Sequence, residues 1–245
     1  MKKKLHILNK LAKEGAISEE HLLKKLEFLN KVLFIAIILW SGILLGFTFN
    51  SVYKNYQDAF EEALHHTEHG VQKDLSFRLW VSSHGGVYVP VSKTTQPSPY
   101  LSHIAKRDIK SADGQVYTLL DPSYAMSQIA TDYNDEHQVK GRATNSVVLN
   151  PDNKADKWEL KGLKIIEQTG KAYYEENSIN NEKYLRYLYP LKIQKNCLKC
   201  HAYEGFKEGD FRGAISLSMP LKSFIEKAYQ QSISISSNFF VIWLI

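Results

Sequence analysis

Val32 to Phe49 carries no charged side chain and is almost wholly apolar, with Ile, Leu and Phe throughout and Trp40 near its middle. As an α-helix, about 18 residues at 1.5 Å each reach roughly 27 Å, enough to cross the hydrocarbon core of a bilayer. The core helix of a soluble domain would show a polar side, and only Ser41, Thr48 and the small Gly42 and Gly46 offer one. A cleaved signal peptide has a short basic start and a small-residue cleavage site. Here the charged region before the run is long, and no A-x-A-like site follows it. The segment reads as a membrane anchor, and the rest of the chain must be arranged around it.

Charge sets the direction. Residues 1–31 hold eight lysines, including Lys2, Lys3, Lys4, Lys24, Lys25 and Lys31, whereas Lys54 beyond the run is followed by Asp58, Glu61 and Glu62. Positive flanks stay in the cytoplasm. Residues 1–31 are therefore expected on the cytoplasmic side of a bacterial inner membrane and residues 32–49 across it. Residues 50–231 then form a periplasmic domain of ordinary single-domain size. The last residues, 232–245, are uncharged and become fully apolar at Phe239-Phe-Val-Ile-Trp-Leu-Ile245. They read as the start of a second transmembrane helix cut short by the end of the sequence. A short tail lying on the membrane is the alternative.

Within the exported region stands Cys197-Leu198-Lys199-Cys200-His201, and its two cysteines are the only ones in 245 residues. Positions i and i+3 share one face of a helical turn, so both thiols can reach the two vinyl groups of one porphyrin. His201, one residue on, falls under the ring and can supply an axial nitrogen to the iron. A thioredoxin-like pair belongs between a strand and a helix near a βαβ pattern. This motif instead follows an extended Tyr187–Ile193 stretch and runs into the polar Ala202–Asp210. A structural zinc site takes four ligands, and no second Cys/His pair stands at ligand spacing. The motif is read as attachment of one covalent haem c. The topology agrees independently, because c-type attachment is made outside the cytoplasm in bacteria.

The pattern between these features predicts a helix over 51–81, broken by Gly85-Gly86, then extended pieces at 87–91 and 116–120. A helix is expected from Asp121-Pro122 through Tyr133, β-branched extended chain over 143–149, and a turn at 150–153. A helix over 157–170, an extended 184–193, a strand over 213–219 and a helix over 221–231 complete the domain. The fold class is α+β, an antiparallel sheet with flanking helices.

Several motifs then line up in order: Arg78-Leu-Trp80, His84-Gly-Gly-Val-Tyr-Val-Pro90, Pro97-Ser-Pro-Tyr-Leu101, Arg107-Asp-Ile109, Asp121-Pro-Ser-Tyr124, Asn150-Pro-Asp152, Trp158-Glu159, Cys197-x-x-Cys-His201 and Gly213-Ala-Ile-Ser216. The series, over about residues 50–230, resembles the Tll0287-like haem-binding domain. That resemblance implies a PAS-like fold with one covalent haem c. It also implies a role as the exported input of histidine kinases, chemoreceptors or diguanylate cyclases, or as a small electron-transfer protein. Carried over by position, Cys197 and Cys200 are the thioether residues and His201 the proximal ligand. The chain departs from relatives in two places. It has no third cysteine to serve as a distal ligand, and it lacks the arginine that precedes Gln128 in relatives.

The distal candidates are His65, His66, His69, His84, His103, His137, Met126 and Met219. His84 is the first choice, because Gly85-Gly86 beside it would let the backbone approach a flat ring closely. Trp80, Tyr88, Tyr100, Tyr117 and Tyr124 are candidates for the pocket wall. With no nucleophile–base pair or carboxylate dyad at diagnostic spacing, the chain is expected not to be an enzyme, and no nucleic-acid partner is expected. It reads as a membrane-bound haem c sensor of redox state or a diatomic gas, dimeric by family analogy. The alternative is a membrane-anchored monohaem cytochrome passing electrons to a redox partner.

Overall fold

The computed structural model describes residues 19–137 and 139–244, without the side chains of residues 19–22, 131–137, 200 and 202. Most of the expected cytoplasmic segment, Gln138 and Ile245 therefore lie outside the described residues. The elements run α1 (Glu19–Ser83), β1 (Val87–Pro90), β2 (Asp108–Lys110), β3 (Val116–Leu120), α2 (Pro122–His137), β4 (Lys140–Thr144), α3 (Lys157–Thr169), β5 (Tyr173–Ile179), β6 (Glu182–Lys192), the short α4 (Leu198–His201), β7 (Phe211–Pro220) and α5 (Lys222–Leu244). The class is α+β with antiparallel sheets and flanking helices. Two compact units divide the chain: residues to Tyr56 together with Ala228 onward, and Gln57–Lys227.

In the first unit, α1 is the one helix among the described residues long and apolar enough to cross a membrane. The α5 segment of this unit lies antiparallel to it. Asn55 Nδ2 donates to Ser232 Oγ at 3.0 Å, Trp243 Nε1 donates to Ser41 Oγ at 2.8 Å, and the Phe47 and Phe239 rings stand 6.3 Å apart. The hydroxyls of Thr48, Ser232 and Ser236 turn back to backbone carbonyls one helical turn earlier. Their protons are thus satisfied without water.

The second unit holds two sheets where the sequence led us to expect one. Their strand orders are β1-β3-β2 and β4-β7-β6-β5. The cause is pairing: β3 has β1 on one side and β2 on the other, so neither of its edges is free to join the larger sheet. In that larger sheet β6 is buried from Tyr184 to Leu188 without a break, the signature of a strand covered on both faces. Ala63, Leu64 and Val71 of α1 pack against Leu185, Tyr187 and Ile215 on one face. Trp158, Leu163 and Ile166 of α3 pack against Leu188 and Ala214 on the other. Each Leu or Ile so buried contributes about 1.5–3 kcal/mol. Gly162 lets α3 come this close, since a Cβ there would collide with Leu188 and Tyr173.

The start of α3 is tied down by one buried carboxylate. Asp156 caps the helix by accepting from the Glu159 N–H at 2.8 Å, and Glu159 Oε2 accepts in return from the Asp156 N–H at 2.8 Å, a capping box. Glu159 also accepts from Arg142 of β4 at 2.5 Å and from Thr144 at 3.3 Å, and Arg186 of β6 stands 3.7 Å from its other oxygen. Arg186 reaches Asp156 at 2.7 Å and lies over the Trp158 ring at 4.2 Å. One side chain, 1% exposed, thereby joins α3, β4 and β6.

Glu159→Ala would take the carboxylate from Arg142, leave buried Arg186 with Asp156 alone and leave the Asp156 N–H unpaired. A loss of about 3–5 kcal/mol is expected in thermal or denaturant unfolding. Acid should act through neighbouring groups. Burial pushes the Asp156 carboxyl up, but the Glu159 N–H and the Arg186 guanidinium outweigh it and hold the group below its ordinary 3.8. The Tyr173 hydroxyl, with Lys161 and Trp158, holds Glu175 below 4.5. Both folded values are depressed, so their stabilisation is complete above the ordinary values and is lost as pH falls through the lowered ones. A denaturation series is expected to show stability holding above pH 4.5 and falling below it, with a flatter acid limb in Asp156→Asn.

Candidate functional site

The stretch 193–210 is an excursion between β6 and β7, closed at its base by the sheet. Ile193 N–H donates to Asp210 O at 2.9 Å and Gly209 N–H to Ile193 O at 2.8 Å. Inside it the chain makes a 3₁₀ turn at Lys195–Cys197, the α4 turn and a second 3₁₀ turn at Ala202–Glu204. Gly205 then reverses direction at φ +86°, a conformation that costs glycine little. This near-continuous helical path puts Cys197 with Cys200, and His201 with Glu204, at i and i+3.

Cys197 is a half-buried free thiol. Cys200 lies in α4, with its side chain outside the described residues. His201 Nδ1 is 2.5 Å from Glu204 Oε1, and Arg212 at the start of β7 donates to Glu204 Oε2 at 3.1 Å. The Arg212 guanidinium sits over the Phe206 ring at 4.9 Å, and Phe206 meets His201 edge-on at 6.4 Å. With the Nδ1 proton held by a carboxylate, Nε2 is the nitrogen left to ligate a metal. Arg212 Nε is buried and has no hydrogen-bond partner among the described residues.

Cys197 and His201 open onto a cavity of about 970 Å³, at the upper end of the range for small-molecule and cofactor pockets. Leu75, Arg78 and Leu79 of α1, Gly85-Gly86, the Gln96–Leu101 loop, Leu119 and the end of β6 line it. Arg78 is tied to Asp74 and donates to Ser123 at 3.3 Å.

The distal candidates are scattered. His103 lines the cavity, its ring 4.4 Å from that of Tyr203. His84 is exposed and is not among the lining residues. Its Nδ1 contacts Trp80 O at 2.8 Å, and its ring packs on Trp80 at 4.7 Å. His65, His66 and His69 are exposed on α1 beside Asp58, Glu61 and Glu62. Met219 packs against the core of the large sheet, Met126 is half-buried in α2, and the His137 side chain lies outside the described residues. Of the aromatic candidates, Tyr100 and Tyr124 line the cavity, and Trp80, Tyr88 and Tyr117 do not. Sequence reasoning missed Glu204 and Arg212. The signal for Glu204 was there, an acid one helical turn after His201.

An α+β domain presenting a Cys-x-x-Cys-His turn to a large cavity defines the class. The sequence pattern of the Tll0287-like proteins matches residues 54–220, more than half of the chain, and the chain belongs to that family. Among solved structures, the crystal structure of the cyanobacterial heme-protein Tll0287 is similar at 14% identity. The similarity covers 65% of this chain and 95% of that one, with a TM-score of 0.43. No curated protein matches the chain.

Proposed function

We propose that the Gln57–Lys227 unit is a PAS-like domain that binds one haem c, with Cys197 and Cys200 as thioether residues and His201 as the proximal ligand. The observation that carries this reading is the His201 Nδ1–Glu204 contact in a cavity wall that also holds the free Cys197 thiol. The donor set fits the group: a thiol at attachment spacing, an imidazole with one nitrogen already engaged, and room for a large flat ligand. Membership of the family supports it. When bound, the haem would supply one-electron or diatomic-ligand chemistry. Glu204 holds the His201 ring nitrogen and fixes its tautomer, and the cavity wall, with apolar and charged residues both, would enclose the group. For the second axial position, the place of His103 on that wall supports it over His84.

The chain is further proposed to be the periplasmic input module of a homodimeric membrane receptor in a bacterial inner membrane, with its N-terminus cytoplasmic. Two features support this over an anchored monohaem electron carrier. The α5 segment pairs with the apolar part of α1, as a second membrane helix would, and a simple anchor needs only one. A Cβ added at Gly42 or Gly46 of α1 would meet no other described residue within 4 Å, which leaves a small-residue face of the kind membrane helices use to meet each other. A change at the iron would shift the cavity, and the large sheet would pass it through α5 to the membrane.

Expression with the c-type maturation machinery, followed by an alkaline pyridine spectrum of the denatured protein, tests the haem reading. Covalent haem is expected, with the spectrum of a single thioether in Cys197→Ser and none attached in the double cysteine variant. An unmodified wild-type chain would reject it. In the folded protein His103→Ala is expected to convert a low-spin spectrum to high-spin, and His84→Ala to leave it unchanged.

A further inference from the structure

We propose that Glu204 is a positioning residue that sets the electronic character of the iron ligand, holding the Nδ1–H of His201 so that Nε2 faces the metal as a stronger donor. This rests on the haem reading above and extends it from where the iron is held to how strongly its oxidised form is favoured. The geometry is local. Glu204 is one turn past His201 at 2.5 Å, its other oxygen accepts from Arg212 at 3.1 Å, and its side chain is only 16% exposed. The turn at Gly205 brings Phe206 edge-on to the imidazole and face-on to Arg212.

Metal-bound histidines use their second nitrogen to donate to a carbonyl or a carboxylate, and the partner tunes ligand basicity. A carboxylate is the stronger choice, because charge-assisted hydrogen bonds are roughly twice as strong as neutral ones. Electron density pushed onto the ring favours the higher oxidation state of the iron, which lowers the reduction potential. Arg212 works against this, since its cation draws on the same carboxylate from the far side. Removing the negative charge and removing the positive charge must therefore shift the potential in opposite directions. A residue that merely stapled the loop to β7 would give no such opposition, because loss of either partner would loosen the same contact.

The test uses the full chain made with the c-type maturation machinery, after the pyridine spectrum has established covalent haem in the wild type and each variant. Redox titration of Glu204→Gln is expected to move the oxidised-to-reduced ratio about tenfold toward the reduced form, a midpoint rise of about 59 mV for a one-electron couple. Arg212→Gln is expected to move it the other way, and Glu204→Asp, which keeps the charge, to restore most of the wild-type value. Shifts below threefold in Glu204→Gln holoprotein, or shifts of the same sign in both Gln variants, overturn the proposal and leave the haem reading standing. If Glu204→Gln does not accumulate, the sign for Arg212→Gln alone decides, and a rise there overturns it. A wild type without covalent haem overturns the haem reading and this inference with it.

Discussion

Burial of β6 on both faces is the constraint on which the rest of the Gln57–Lys227 unit depends. A strand that hides Leu185 and Tyr187 against α1 and Leu188 against α3 has no freedom of register, because a slip of one residue would exchange its two sides. That would put Arg186, which lies among the caps of α3, into the apolar layer under α1. The strand is therefore fixed along its length, and β7 is fixed with it through a continuous ladder from Tyr184↔Pro220 to Leu191↔Gly213. The 193–210 loop that carries Cys197 and His201 grows from the end of this rigid pair. Its two feet, Ile193 and Asp210, are hydrogen-bonded to each other, so the geometry of His201 is inherited from the best-buried part of the domain.

Much of this was legible in the residues. The Asp113-Gly114 turn, the apolar side of 157–170 and the alternation over 213–219 placed β3, α3 and β7 nearly where they lie, and Gly85-Gly86 ended α1 as their freedom at positive φ would suggest. Three strands were not, among them β2, whose three residues are too few to show an alternation. The sequence puts extended chain over 143–149, whereas β4 is Lys140–Thr144. The β-branched Val147 and Val148 drew the reading forward, but the ladder stops where Thr144 meets Gly213 at φ +109°, and Asn145 turns away to bond Arg212 O. β5 was hidden by Glu175, Glu176 and Asn177, polar residues that say little about strand formation at a half-exposed edge. Its partner turn, Asn180-Asn181 with both φ values positive, was the readable hairpin signal.

The site divides in the same way. Cys-x-x-Cys-His is legible because its residues stand at fixed spacing along one turn, and the cavity beside it could only be inferred from a list of aromatics. Tyr100 and Tyr124 line that cavity while Trp80 instead covers His84, a difference decided by which way the end of α1 faces. His103 and Arg212 come to the site from loops and strand ends far apart in sequence. No local pattern marks such residues, because what gathers them is the folding of the β1-β3-β2 sheet and the β7 ladder.

The antiparallel pairing of α5 with the apolar part of α1 has a mechanical consequence. Two of the interhelical hydrogen bonds, Asn55 to Ser232 and Trp243 to Ser41, sit near opposite ends of the paired apolar stretch. Together they act as a vernier. A slide of one helix past the other by a single turn, about 5.4 Å, would separate both pairs at once. Interhelical hydrogen bonds within membranes average only about 0.6 kcal/mol each. The register is thus marked sharply in position but held weakly in energy.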